Sequence, residues 1–547
     1  MADASLLSAA SLSVTRMKAN ASVYKTERGN VARTPHAAAD LGMQSLLGWV
    51  PPNLSADAEW LYDRDISTAR IRDLLRNDGW GQAIVDRQVD MAVGANFRIS
   101  AKPDARALGI SQDQADELAS QIEVRWRSFA EDPTFRCDAE RMAPFAGIVG
   151  LACRELVGVG EALGVLRWLP RESWPYATAV HVVDADRLSN PHGQPDSDEL
   201  RGGVQLGRNG EPVGYHIRKS HPGEVGMNVA ALDWDYIPRF DQVNGWERPK
   251  VLHCFERRRP GQHRGISRLA AALVKMRLLQ RYSESEVKAA ALNGSIVGAI
   301  YTQLGSEYAS ELLGEENVAT NLEQLSDSRA GFYGARRVMD DAKILTMFPT
   351  DRLDLNTQPR QVTGFPAFQT AFLQSFAASI GISYEQLSMD WSRTNYSSAR
   401  AALNEVWRSI QRLKAILIWG YAQPIYTAWL EDAFDTGEIE VPAGAPDFYD
   451  APAAYVRADW IGPPRGYVDP VKEAQAALLR RGGVLTTLEK EVAEQGGDLE
   501  QTLQAIAREN KLLQRYGITL PSGTATASPA KDADSEEEAA ATRDARP

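Results

Sequence analysis

Apolar residues recur at helical spacing through the first patterned stretch of the chain: Ile71, Leu74 and Leu75, then, past Asn77-Asp78-Gly79, Val85, Val89, Ala92 and Val93. This predicts two helices between Ser67 and Val93 joined by a turn. Ser111–Phe129 and Pro144–Val157 read as two more helices. β-like runs follow at Ala162–Trp168, Ala179–Val183, Val213–Ile217 and Lys250–Phe255. The segments NPHGQPDSDE and GRNGEP between them carry the Gly, Pro, Asn and Asp that hairpin turns use. This half of the chain reads as α+β.

The middle changes character. Ser267–Asn293 places Leu269, Leu273, Met276, Leu279, Tyr282 and Ala290 on one side, with Arg268, Lys275, Arg281, Glu284 and Lys288 elsewhere around it. At 1.5 Å per residue this is a rod of roughly 40 Å. Residues 294–350 alternate short β-like runs (Ile296–Tyr301, Ile344–Phe348) with polar loops. Pro366 sits where a second helix can begin, and Phe365, Phe368, Phe372 and Phe376, three and four apart, form a seam suited to the first rod. SMDWSRTNYSSA, Ser388–Ala399, has no periodicity. A long amphipathic helix follows, with Ala399, Leu403, Val406, Ile410, Leu413 and Leu417 on one face, ending near Gln423-Pro424. After a Pro/Gly-rich link, Pro470–Arg481 and Thr486–Arg515 are helical in pattern. Residues 1 to about 40, rich in Ala, Ser and Thr, read as a mobile arm, and the last thirty, ending in DSEEEAAATRDARP, as a disordered tail.

At 547 residues the chain suits two to four structural units, and 44% apolar with 24% charged residues is ordinary globular composition. The formal charge of −12 argues against a protein that clings to nucleic acid through a broadly basic surface. Cys137, Cys153 and Cys254 are odd in number and far apart, and read as reduced, buried residues. The first residues place their positive charges after a weak apolar run, the reverse of a signal peptide. The longest charge-free stretch, Gln361–Tyr384, contains Gln369, Gln374, Ser375 and Ser379 and is a poor membrane span.

LHCFERRRPGQHRGISRLA, Leu252–Ala270, concentrates the candidate chemistry. His253 and Cys254 are neighbours on a strand, so their side chains face opposite sides, and His263 stands beyond a Pro-Gly turn; no second Cys or His pair lies at ligand spacing. The stretch reads as a strand-turn-helix junction rather than a metal site. Arg257, Arg258, Arg259, Arg264 and Arg268 can grip phosphates, or pair with carboxylates of a neighbouring element or subunit. GVGEALG, Gly158–Gly164, fails as a dinucleotide loop because its third glycine is one place late and it lies between helix and strand in the wrong order. No P-loop, H-E-x-x-H or G-x-S-x-G occurs. Asp184, Asp186, Asp196, Asp198 and Glu199 could serve Mg²⁺, but fall in turns where Asp is expected for backbone reasons.

Four segments in colinear order carry a resemblance: RNDGWGQAIVDRQVDMAVGANFRI (76–99), HCFERRRPGQHRGISRLAAAL (253–273), QTAFLQSFAASIGISYEQLSMDWSRTNYSSARAALNE (369–405) and WIGPPRGYVDPVKEAQAALLRRGGVLTT (460–487). Together, over about Leu46–Ile518, they resemble the portal proteins of lambda-type tailed phages, most specifically in RPGQ-x-RG-x-S and NYSSAR-x-A. The resemblance implies an α+β portal fold and a ring, usually a dodecamer, at one capsid vertex. It implies a mobile arm (1–45), an α/β wing (46–265), two long stem helices (266–293 and 362–387) around a small α/β clip (294–361), and a tunnel loop (388–398). A long wing helix (399–435), a Pro/Gly-rich link (436–468), a helical crown (469–518) and a disordered tail (519–547) complete it.

The tunnel loop would bring Ser388, Met389, Asp390, Trp391, Ser392, Arg393, Thr394, Asn395 and Tyr396 to double-stranded DNA passing without sequence preference. Leu269, Leu273, Met276, Leu279, Phe368, Phe372 and Phe376 would pack the stem, and the five arginines would lie at the wing–stem junction. Implied partners are terminase, the major capsid shell, scaffold and head-completion or tail proteins, with no membrane, cofactor, metal or catalytic residue. The implied location is the virion portal vertex, with the host cytoplasm during assembly. An acidic lumen with few cationic contacts suits a conduit in which DNA must slide. The alternative class is a Mg²⁺-dependent, nuclease-like enzyme built on the carboxylate turns.

Overall fold

The computed structural model describes residues 43–224, 226, 229–295, 364–392, 394–466 and 470–518, with short pieces at 24–26, 29–31, 37–39, 299–300, 327 and 345–346. The chain divides into two units, residues 1–59 and 60–547. In the first, Tyr24–Thr26 pairs antiparallel with Gly29–Val31, inside the segment expected as an arm. The expected clip lies mostly outside the described residues; within it Ala299–Ile300 pairs parallel with Leu345–Thr346. The expected tail, 519–547, lies wholly outside them.

Helices α1 (Ala56–Asn77) and α2 (Gly79–Ala92) are the predicted pair, separated where Asp78 caps α2 by accepting from Gly81 N–H at 2.9 Å. α1 begins at Ala56 rather than Ser67 because its first turns, ADAEWLYDRD, are too charged to carry an apolar period. Helix α3 (Gln112–Ala130) opens on a capping box between Ser111 and Gln114, and helix α4 (Phe145–Gly158) follows Pro144. Strand β1 (Glu161–Trp168) then lies between β2 (Thr178–Val183) and β3 (Val251–Phe255), antiparallel to both, with Leu163 opposite Val183 and His253.

Alternation along β1 serves two cores. Ala162 and Leu166 join the main one, while Leu163 and Val165 face a smaller one with Val204, Tyr215, Ile217 and Ile237. These last come from a four-stranded meander, Leu200–Arg201, Val204–Leu206, Pro212–Arg218 and Trp234–Pro238. The main core centres on Trp126 of α3, whose ring lies 4.8 Å from Phe145, 5.0 Å from Trp429 and 5.4 Å from Tyr426. Arg98–Ala101 pairs with Ala458–Ile461, strands of four residues too short for alternation to be read from sequence.

Helices α5 (Leu273–Ser295) and α6 (Phe365–Ile380) are the two rods. Helix α7 (Tyr396–Leu417) does not stop at Pro424. It runs through a π-turn at Ile418–Ala422 into α8 (Gln423–Asp435), with Pro424 in the first turn of α8. A widened turn frees backbone groups from the ordinary ladder, so the missing proline N–H is tolerated there. The same turn lies hard against the sheet: a Cβ on Gly420 would stand 2.7 Å from Cys254 Sγ, and one on Gly164 would stand 2.7 Å from Tyr421 Oη. Beyond the link come Pro470–Gly482, Leu488–Glu494 and Leu499–Tyr516. The predicted helix at Thr486–Arg515 is thus two, parted at Gly496-Gly497, after which Asp498 caps the second by accepting from Gln501 N–H at 3.1 Å.

The end of α8 carries a pH-dependent contact. Glu431 is fully buried, with Oε1 accepting from Tyr449 Oη at 3.2 Å and forming an ion pair with Arg248 Nη1 at 3.8 Å. Burial pushes its carboxyl up to about 7, against the pull of Arg248. A raised acid holds a proton in the folded chain that the unfolded chain releases. Its contribution to stability is therefore complete below about pH 4.3 and is lost as pH rises through about 7. Glu431→Gln is expected to flatten the fall in thermal midpoint between pH 5 and 8 relative to the wild type. Parallel profiles would show the carboxyl is not the titrating group.

Candidate functional site

The junction between sheet and first rod is built around one carboxylate. Glu161 opens β1 and is wholly buried. Arg64 Nη2, from α1, donates to Oε1 at 2.7 Å. Arg264 Nε stands 3.1 Å from both oxygens and its Nη2 2.5 Å from Oε1. Gly265 N–H donates to Oε2 at 2.7 Å, and His253 Nε2 lies 3.1 Å from the same oxygen. Arg264 spends its remaining donors on the carbonyls of Leu188 (2.7 Å), Ala185 (3.0 Å) and Gly202. Burial alone would raise the Glu161 carboxyl, but Arg264, Arg64 and the His253 bond outweigh it and hold it well below the usual carboxylate range. The turn beneath is tight: a Cβ on Gly265 would stand 2.2 Å from the Gly160 carbonyl oxygen, so only glycine fits.

This arrangement separates the arginine stretch into parts. Arg264 is an interior ligand of Glu161 and cannot touch a phosphate. Arg268 and Arg258 turn to Glu256, at 3.2 and 3.6 Å, while Arg257 and Arg259 are exposed. His253 and Cys254 face opposite sides of β3, and His263 Nε2 meets the Gly210 carbonyl at 3.1 Å. The three cysteines are buried and unpaired, and burial pushes each thiol up to about 12.

The rod starts at Leu273 rather than Ser267. Ser267 is tied down by donating to the Gly158 carbonyl at 2.6 Å while its oxygen accepts from Leu269 N–H at 3.1 Å, so residues 268–272 form turns first. Leu269, Met276 and Leu279 are buried, Leu273 partly so. On α6, Phe376 is buried, Phe372 half-buried and Phe368 39% exposed. The helices meet through Tyr282, whose ring lies 4.8 Å from Phe368 and 5.6 Å from Phe365, and through Lys275 Nζ, 3.4 Å from Ser375 Oγ. Val274 and Leu278 on the outer side of α5 are exposed, and so is Val287 further along the helix. Pro366 lies in the first turn of α6, and Gly381 ends it in the left-handed conformation.

The stretch expected as a loop from 388 to 398 is partly helical. Ser383 and Gln386 cap a short helix, Tyr384–Ser388, and Met389 turns left-handed at its end. Asn395 caps α7 by accepting from Ser398 N–H at 2.9 Å, so α7 begins at Tyr396 rather than Ala399. Its first turn, Tyr-Ser-Ser, offers no apolar period, which hid the start. Between these ends Asp390 accepts from Ser392 N–H (3.0 Å) and Oγ (2.6 Å), and Thr394 N–H donates to the Trp391 carbonyl at 3.2 Å. Trp391 is 38% exposed. Arg393 lies outside the described residues, as does the side chain of Tyr396.

The carboxylate turns are occupied by local structure. Asp184, Asp186 and His221 gather their ligand atoms within 4.8 Å, but Arg72 lies among them, 2.7 Å from Asp184 and 3.1 Å from Asp186. Asp196 accepts from Gly202 N–H at 2.8 Å, and Asp198 pairs with Arg201 at 3.3 Å. Among the described residues no helix is long and apolar enough to cross a membrane.

The described residues thus bring together a helix pair, a junction anchored on one buried carboxylate and a capped connector. Residues 43–414 match the family model for phage portal protein, lambda family. The portal protein of Escherichia phage N15 is 30% identical over 488 residues, 88% of this chain and 91% of that protein. Portal protein B of Escherichia phage lambda is 30% identical over 488 residues, 88% and 90% of the two chains. Among solved structures, a chain from the neck of an empty GTA particle computed with C6 symmetry aligns at a TM-score of 0.40 and 14% identity, over 79% of this chain and 93% of that one. The chain belongs to the lambda family of phage portal proteins. It is a structural protein and not an enzyme, which sets aside the nuclease alternative.

Proposed function

We infer that the chain assembles into a closed ring of identical copies, a dodecamer, at one vertex of a tailed-phage head. Double-stranded DNA passes through the ring during packaging and ejection, with terminase, the capsid shell and head-completion or tail proteins docking around it. Assembly takes place in the host cytoplasm. Relationship to the N15 and lambda portal proteins over 88% of the chain carries this reading. The outer face of α5 supports it, because Val274 and Leu278, one turn apart, stay in water in a single copy and a neighbour can cover them. In this reading α5 and α6 are the stem helices, the sheets with α1–α4 the wing, α7 and α8 the long wing helix, and the three helices after Pro470 the crown.

The connector between Ser388 and Tyr396 is assigned to the channel wall. Trp391, Arg393 and Tyr396 can meet phosphates and groove edges without reading bases. Replacing the three by alanine is expected to leave ring formation intact, because the stem and junction contacts are untouched, and to shorten the packaged genome or its retention in assembled heads. Full-length packaging with normal retention would remove the DNA-contact role. Loss of rings would instead place Trp391 in the packing of its own subunit.

A further inference from the structure

Glu256, just beyond β3, receives three guanidinium groups. Arg268 Nε lies 3.2 Å and Arg258 Nε 3.6 Å from its Oε2, and Arg412 Nε, from α7, lies 3.8 Å from its Oε1. One negative charge faces three positive ones. Arg268 is the informative member: its side chain is 9% exposed, and its Nη2 is buried without a hydrogen-bond partner. Burial pulls the Arg268 pKa down, Glu256 raises it, and the repulsion of Arg412 and Arg258 adds to the lowering. Buried guanidinium donors are ordinarily met by acceptors, and a surplus of two positive charges around an unmet donor calls for an oxyanion at the exposed edge of the cluster.

We propose that Arg258, Arg268 and Arg412 form a carboxylate-binding site that an Asp or Glu side chain of a second copy of the chain completes. The inference rests on the ring reading and names one of its contacts. A carboxylate is favoured over a DNA phosphate on three grounds. The cluster reaches the surface through Arg258 and Arg412, 39% and 65% exposed, with Arg268 enclosed behind them, a single point of positive charge that the tip of a side chain matches better than a polynucleotide backbone, which is gripped by exposed rows of cations. The guanidinium fork matches a carboxylate in two-point geometry. Each copy also carries 72 acidic against 60 basic residues, so neighbouring copies have carboxylates to spare.

The test uses the full chain as wild type, Arg268→Met and Arg412→Met, with Arg257→Met as control. Ring formation is followed by native mass across protein concentration, and the wild-type ring is imaged by electron microscopy at side-chain detail. The two site variants are expected to raise the concentration for half-assembly by about tenfold or more, with the control unchanged. A carboxylate of the adjacent copy is expected at hydrogen-bond distance from the guanidinium of Arg412 or Arg258, the two exposed members of the cluster. Arg412, 65% exposed, keeps the test open if Arg268→Met fails to fold. Wild-type rings with water, a DNA phosphate or a residue of the same copy at that position, or with variants that assemble as wild type, would overturn this site and leave the ring reading standing. A wild type that forms no ring would overturn both.

Discussion

Glu161→Gln is expected to destabilise the subunit by about 3–5 kcal/mol, the cost of leaving buried charges without their counter-ion. Arg64 and Arg264 would remain, 4% and 2% exposed, around a neutral amide. Gly265 N–H and His253 would lose an ionic acceptor at the same time. Because this carboxyl is held below its unfolded value, its contribution is present above about pH 4.3 and is lost as pH falls through the folded value. The deficit of the variant should therefore be full at pH 7 and shrink on acidification. Chemical denaturation of wild type and variant at pH 7 and again below about pH 4 measures it. A loss under about 1 kcal/mol at pH 7, within the range of an exposed ion pair, would show that the network does not anchor the junction.

Phe372→Pro is expected to be comparably severe. The substitution removes an interior hydrogen bond of α6 and clashes with the preceding turn, at about 3 kcal/mol or more. It also deletes a ring that lies 4.3 Å from Phe368 and 6.2 Å from Phe376. Pro366→Ala, in the first turn of the same helix, removes a residue whose missing N–H had no partner to lose, and is expected to change little. Thermal midpoints and ring yield of the two variants compare them directly. Equal disruption would contradict the placement of α6.

What the sequence revealed followed from period and length. α3, α4 and the three strands of the central sheet were legible because each repeats its apolar spacing several times, and Pro366 marked a helix start through its own chemistry. The buried network was hidden because Glu161 meets Arg64 and Arg264 from 97 and 103 residues away, and no local pattern relates them. GVGEALG drew notice for its glycines, yet its chemistry lies in the glutamate they surround. The five arginines looked alike in sequence, while the fold buries Arg264, encloses most of the Arg268 side chain and adds Arg412 from a helix 144 residues beyond it. The π-turn escaped because Pro424 reads as a helix stop wherever the ladder around it is assumed regular.

Ring assembly is the claim on which the channel, the docking partners and the carboxylate site all depend. Native mass measurement of the purified chain, 60.1 kDa per copy, tests it most directly. The expected result is a single large species whose mass is a whole multiple of the subunit, twelvefold for the dodecamer, visible as a closed ring by electron microscopy. A chain that stays monomeric across all salt conditions would contradict it.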